Sequence, residues 1–116
     1  MDPSYASAYN ARGWALYLMG RYEEALVDAE RAVALAPTSA YHFGTQGHVL
    51  AALGRTSEAL AAFEQGMAVG DDDWIESYQK ALKRHGYYEG DSDGDYDPAV
   101  RVALEACLEA GCRVVR

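Results

Sequence analysis

Two stretches of the sequence lie over one another without a gap when Tyr9 is set on Phe43. They are YNARGWALYLMGRYEEALVDAERAVALA, Tyr9 to Ala36, and FGTQGHVLAALGRTSEALAAFEQGMAVG, Phe43 to Gly70. Nine of the 28 columns are identical: Gly13/Gly47, Leu16/Leu50, Gly20/Gly54, Arg21/Arg55, Glu24/Glu58, Ala25/Ala59, Leu26/Leu60, Glu30/Glu64 and Ala34/Ala68. A repeat of this period constrains the fold more than composition does, because each unit can bury its apolar face only against its neighbours. Each unit reads as two helices. The first runs to Gly20 or Gly54, where glycine can end a helix in the left-handed conformation. The second starts at once and carries EEAL or SEAL, strong helix formers. Pro37 closes the first unit, since proline cannot continue a helix interior. Gly13, Gly47, Ala25, Ala59, Ala32 and Gly66 are small and recur at helical spacing, so paired helices can approach closely. Tyr9, Leu16, Phe43, Leu50 and Phe63 supply the bulk between them.

These residues resemble the tetratricopeptide repeat family, whose units are helix–turn–helix pairs of this length. Tyr9 and Phe43 match the family's large aromatic position, and Gly13 and Gly47 its first-helix glycine. Leu16 and Leu50 stand where a tyrosine is common. Ala25 and Ala59 match the second-helix alanine, Phe63 its aromatic, and Ala32 and Gly66 the small residue near the end. Ala29, Arg12, Gln46 and Asp71 depart from the pattern. The resemblance covers about residues 3 to 70, with repeats at about 6–37 and 40–70. MDPS parallels LAPT, with Pro3 lying one full repeat before Pro37. The expectation is a piece of a longer array whose first helix has an open outer face, which favours self-association or a lost partner domain.

Composition sets outer limits. The chain has 116 residues, half of them hydrophobic, enough for one domain with a modest core. Its formal net charge of −8 argues against nucleic acid or an anionic membrane surface, both of which call for a basic face. The sequence contains no long apolar run for membrane insertion, and MDPSYASAYN lacks the features of a secretory signal. A cytoplasmic location is the default expectation, with the periplasm open for a fragment. Cys107 and Cys112 read as small buried or half-buried thiols, with no second pair at zinc-ligand spacing. No cofactor is expected, and no nucleophile–base pair or phosphate loop argues for an enzyme.

The segment DDDWIESYQKALKRHG, Asp71 to Gly86, predicts a third long helix. Aspartates suit its N-terminus and Lys83, Arg84 and His85 its C-terminus. Trp74, Ile75, Tyr78, Ala81, Leu82 and His85 follow at helical spacing. Pro98 suits the first turn of a last helix to about Ala110. Two readings compete for residues 71–116. One is a decayed third repeat, since Gly86 follows Gly54 at just under the interval that separates Gly54 from Gly20. The other rests on YQKALKRHGYYEGDSDGDYDPAVRVALEA, which resembles the peptidoglycan-binding domain of bacterial wall enzymes. Gln79 and Leu82, Gly86-Tyr87-Tyr88-Glu89-Gly90, Asp93-Gly94, Tyr96, Pro98, Arg101 and Ala103-Leu104 carry that likeness. Asp97 stands where glycine is usual and Val100 where threonine is. Only two of that family's three helices are counted within 71–116.

GYYEGDSDGDYDP, Gly86 to Pro98, holds four aspartates and a glutamate. A calcium loop of the EF-hand type needs a glycine at its sixth position and a bidentate glutamate at its twelfth. Counting from Glu89 leaves Val100 at the twelfth position, and counting from Asp91 leaves Tyr96 at the sixth. Neither register closes. The stretch reads as a strap between helices, its acids facing water, with Tyr87, Tyr88 and Tyr96 folded back as pins.

The expected fold is all-α: a two-repeat helical solenoid over 1–70, then two further helices joined by an acidic loop and packed on the array. The repeat resemblance implies a concave groove lined by first helices. It assigns Asn10, Trp14 and Tyr17 from the first helix, Tyr41 and His48 from the third, and Lys80 and Arg84 as a basic edge from the fifth. The resemblance also implies a non-catalytic module that binds a protein or peptide partner. Three alternatives stay open: a bacterial envelope module, a self-associating fragment, and Trp14 and Tyr17 as core rather than groove residues.

Overall fold

The computed structural model describes residues 3–111. Among them the chain forms six helices and no strand: α1 Pro3–Leu18, α2 Tyr22–Leu35, α3 Ala40–Ala52, α4 Thr56–Val69, α5 Asp72–Arg84 and α6 Pro98–Glu109. This is an all-α helical-repeat fold. α1 packs on α2, α3 on α4, and α2 joins the two pairs by packing on α3.

The identical columns of the two units make identical local structure. Gly20 and Gly54 both take the left-handed conformation, with φ of 80° and 78°. Each sits in a closing turn: Gly20 N–H donates to Tyr17 O and Arg21 N–H to Leu16 O, while Gly54 N–H donates to Ala51 O and Arg55 N–H to Leu50 O. These bonds satisfy carbonyls that the helix end would otherwise leave open. The arginine then clips the next helix, with Arg21 gripping Glu24 and Arg55 gripping Glu58 through paired bonds. Gly86 ends α5 by the same turn, at φ 83°, but Tyr87 follows where an arginine stood twice before. The chain there leaves the repeat pattern and enters the acidic strap.

The core is continuous from α3 to α6. Leu60, Phe63 and Met67 of α4, Tyr78 and Leu82 of α5, Tyr88 of the strap, and Val100, Leu104, Cys107 and Leu108 of α6 form one buried cluster. Gly47 makes room for it, since a Cβ there would lie 2.7 Å from the Phe63 ring. Cys107 is fully buried, as the reading of a small buried residue there expects. Cys112 lies outside the described residues. No helix of the described residues is long and apolar enough to cross a membrane.

Candidate functional site

Aromatic rings meet between α3 and α5. Tyr41 meets Trp74 edge-on at 4.7 Å between ring centroids, Trp74 lies 5.0 Å from Tyr78, and Phe63 lies 5.7 Å from Tyr78. Gly44 is the floor: a Cβ at that position would come within 2.9 Å of the Tyr78 hydroxyl and 3.3 Å of the Trp74 ring. The result is a cavity of about 330 Å³ lined by Asn10, Ala11, Trp14, Tyr41, Gly44, Thr45, His48, Trp74 and Tyr78. Its walls come from α1, α3 and α5.

Asn10, Trp14, Tyr41 and His48 therefore share one concave surface. They play different parts. Tyr41 is 61% exposed and forms the rim. His48 is buried; its Nδ1–H donates to the Gly44 carbonyl at 2.7 Å, because a carbonyl can only accept. Its ring is wedged against Trp14 at 5.4 Å and Phe63 at 5.1 Å. Asn10 keeps spare capacity, for its Oδ1 is shielded from solvent and accepts no hydrogen bond among the described residues. Tyr17 does not line the cavity. It stacks behind Trp14 at 4.9 Å and touches Tyr22 and His48, so it supports the wall.

Lys80 and Arg84 do not line the cavity either. The α5 side chains that do are Trp74 and Tyr78, one helical turn apart. Lys80 lies about 200° further round the helix from Tyr78, and Arg84 about 240°, at roughly 100° per residue. Lys80 instead pairs with Glu76 at 2.8 Å. The expected basic edge had placed Lys80 and Arg84 on the groove side of the fifth helix. Tyr78 follows Gly44 at the full repeat interval, the one that separates Gly20 from Gly54. The register of α5 is thus kept at its groove face and shortened at its end. An aromatic pair at positions i and i+4 beside that continued period was the signal for Trp74 and Tyr78.

A second, more polar cavity of about 620 Å³ adjoins the first and shares Tyr41 and Trp74 with it. It is lined also by Thr38, Ser39, Ala40, Gly70, Asp71, Asp73 and Ser77. Asp71 caps α5, its Oδ1 accepting from Trp74 N–H at 2.8 Å.

The acidic strap is held from inside. Gln79 is fully buried; its Nε2 donates to Asp93 Oδ1 and to the Asp95 carbonyl, and its Oε1 accepts from Gly94 N–H. The Asp95 N–H and the Gln79 amide hold the Asp93 carboxyl below the usual carboxylate range. Gly94 lies against Asp72, where a Cβ would come within 2.9 Å of that residue. Tyr88 is buried and donates to the Asp91 carbonyl at 3.1 Å, and burial raises its pKa. Tyr96 packs half-buried on the core, and burial beside Glu64 raises its pKa too. Tyr87 is the most exposed of the three and does not join the buried cluster, which takes in Tyr88 and Tyr96. Among the described residues no group of three or more histidine, cysteine, aspartate or glutamate side chains could hold a metal ion.

Residues 6–39 match the family model of the tetratricopeptide repeat. Residues 60–110 match the model whose description reads "Putative peptidoglycan binding domain". No curated protein and no solved structure matches the chain. The second match begins inside α4 and ends after α6, so it spans three helices. This corrects the count of two: the missing helix is α4, which also pairs with α3.

Proposed function

We propose that the chain is a non-catalytic interaction module that holds a segment of a protein partner in the aromatic groove between α1, α3 and α5. The observation that carries this reading is the cavity in which Trp14, Tyr41, Trp74 and Tyr78 converge around a glycine floor. Aromatic side chains concentrate binding energy because they bury a large area at low conformational cost. The tetratricopeptide match adds that such repeats typically bind proteins. Asn10 and Thr45 supply polar groups that can fix the orientation of a bound main chain. The test is the double variant Trp14→Ala/Tyr41→Ala. Tyr41 is mostly exposed, and its truncation should cost little stability. A variant that keeps its helical circular dichroism and still captures every partner taken by the unaltered chain refutes the groove.

A second reading is favoured by the match over residues 60–110. In it, α4, α5, the strap and α6 contact peptidoglycan. Co-sedimentation with purified wall sacculi tests it, and a chain that stays in the supernatant removes it.

A further inference from the structure

We propose that the groove's occupant presents a lysine or arginine side chain, seated over Trp74 and Tyr41 with its charge at Asp71 and Asp73. The inference rests on the groove reading and deepens it. Neither cavity is lined by a lysine or an arginine, whereas the second contains two carboxylates. Asp73 makes no ion pair among the described residues. The two cavities meet at the Tyr41–Trp74 pair, so a side chain crossing from one to the other passes along aromatic faces. A long aliphatic stem with a cationic end suits that path: the stem buries apolar surface, the rings attract the charge, and the carboxylates and the Ser39 and Ser77 oxygens accept its hydrogen bonds. Ser77 Oγ already donates to the Trp74 carbonyl at 2.6 Å, leaving its lone pairs to accept.

The field points the same way. A helix N-terminus carries only about half a positive charge, and Asp71, Asp72 and Asp73 more than offset it. The strap adds to them. Gly94 rests on Asp72, so Asp93 and Asp95 stand next to the first turn of α5. Gln79 fixes this placement from below. The acidic strap thus supplies negative potential beside the groove's polar end, complementary to a basic segment. In that segment an apolar or aromatic neighbour would fill the cavity under Trp14.

A random-peptide display library panned against the intact chain tests this. The supporting result is enrichment of sequences with lysine or arginine beside an apolar residue. Their affinity should fall about tenfold in Asp71→Asn/Asp73→Asn, from roughly two- to fivefold for each exposed carboxylate. It should fall further with added salt. Asparagine caps a helix as well as aspartate does, so this variant keeps α5 intact. Enriched peptides that lack basic residues, or that bind the Asn variant equally well, overturn the basic occupant and leave the groove reading standing. Peptides that bind Trp14→Ala/Tyr41→Ala unchanged, or no enrichment at all, overturn both. Titration with soluble peptidoglycan fragments completes the set: shifts at Trp14 and Trp74 resonances without peptide binding would assign the groove to glycan and overturn the proposal.

Discussion

Replacing Gln79 by leucine isolates what holds the acidic strap. The Gln79 side chain is fully buried, and its three hydrogen bonds all go to the strap, at 3.1 Å to Asp93 Oδ1, 2.9 Å to the Asp95 carbonyl and 2.9 Å from Gly94 N–H. Leucine is of similar volume and has no polar side-chain atom, so the change removes bonds and opens little space. The bond to Asp93 contributes little, because that carboxylate is exposed and regains water when the strap loosens. The bond to the Asp95 carbonyl contributes about 0.5–1.5 kcal/mol net, and stranding the buried Gly94 N–H costs about 1–3 kcal/mol. With part of this offset by the added apolar surface, the loss comes to about 1–4 kcal/mol. For a chain of this size that lowers the thermal midpoint by roughly 5–20 °C. Urea unfolding followed by circular dichroism gives the free energy, and hydrogen exchange gives the mechanism. The Gly94 amide should lose more protection than the amides of α1 and α2. A second variant fixes the sign of the electrostatics. Gln79→Glu puts an acceptor against two acceptors, so its folded-state pKa rises above the ordinary glutamate value of about 4.3. That variant is weakest at neutral pH and recovers stability as pH falls through its raised value, because protonation restores a donor. A loss below about 1 kcal/mol for the leucine variant, or unchanged exchange at Gly94, refutes the account.

Gly47→Ala gains helix propensity of about 1 kcal/mol but forces a Cβ to 2.7 Å from the buried Phe63 ring, which His48 and Tyr78 bound on other sides. Overpacking costs about 1–3 kcal/mol, so a net loss of up to about 2 kcal/mol is expected in urea unfolding. The buried Asp28 carboxyl is held below its usual range by paired bonds from Arg12 at 2.6 and 2.8 Å. Its stabilisation is fully present above the unfolded aspartate value of about 3.9 and is lost as pH falls through the lower folded value. The stability gap between the unaltered chain and Asp28→Asn should therefore be constant at neutral pH and close on acidification, as read by denaturant unfolding at a series of pH values.

The helices were legible because their boundaries rest on local chemistry. Gly20 and Gly54 fix the turns, Pro37 stops α2, and Asp71 and Asp97 cap α5 and α6 through Trp74 N–H and Val100 N–H. The groove was half legible. Asn10, Trp14, Tyr41 and His48 lie on helices whose register the repeat sets, and they converge. Lys80 and Arg84 were expected at the groove's edge, but helical spacing alone does not say how α5 is rotated. Rotation is decided by Tyr78 and Leu82 entering the core, a tertiary fact. Gln79 also escaped sequence reasoning as an anchor. A glutamine next to a buried tyrosine looks like a surface residue until the strap returns over it with Asp93, Gly94 and Asp95.

The sharing of α4 bears on how the two family resemblances combine. Leu60, Phe63 and Met67 belong at once to the pair α3–α4 and to the three-helix segment that matches the peptidoglycan-binding model. The boundary expected between residues 70 and 71 falls at the α4–α5 turn, yet the buried cluster runs across it without a break. The groove has the same character. Trp14, Tyr41 and His48 come from the repeat helices, and Trp74 and Tyr78 from the segment beyond them. Neither part forms this surface alone, because the Gly44 floor needs the α5 aromatics to face it and those aromatics need α4 to seat them. Tyr78 and Phe63 bridge the two parts: Tyr78 lines the cavity, Phe63 packs against Tyr78, and both belong to the buried cluster that α6 completes.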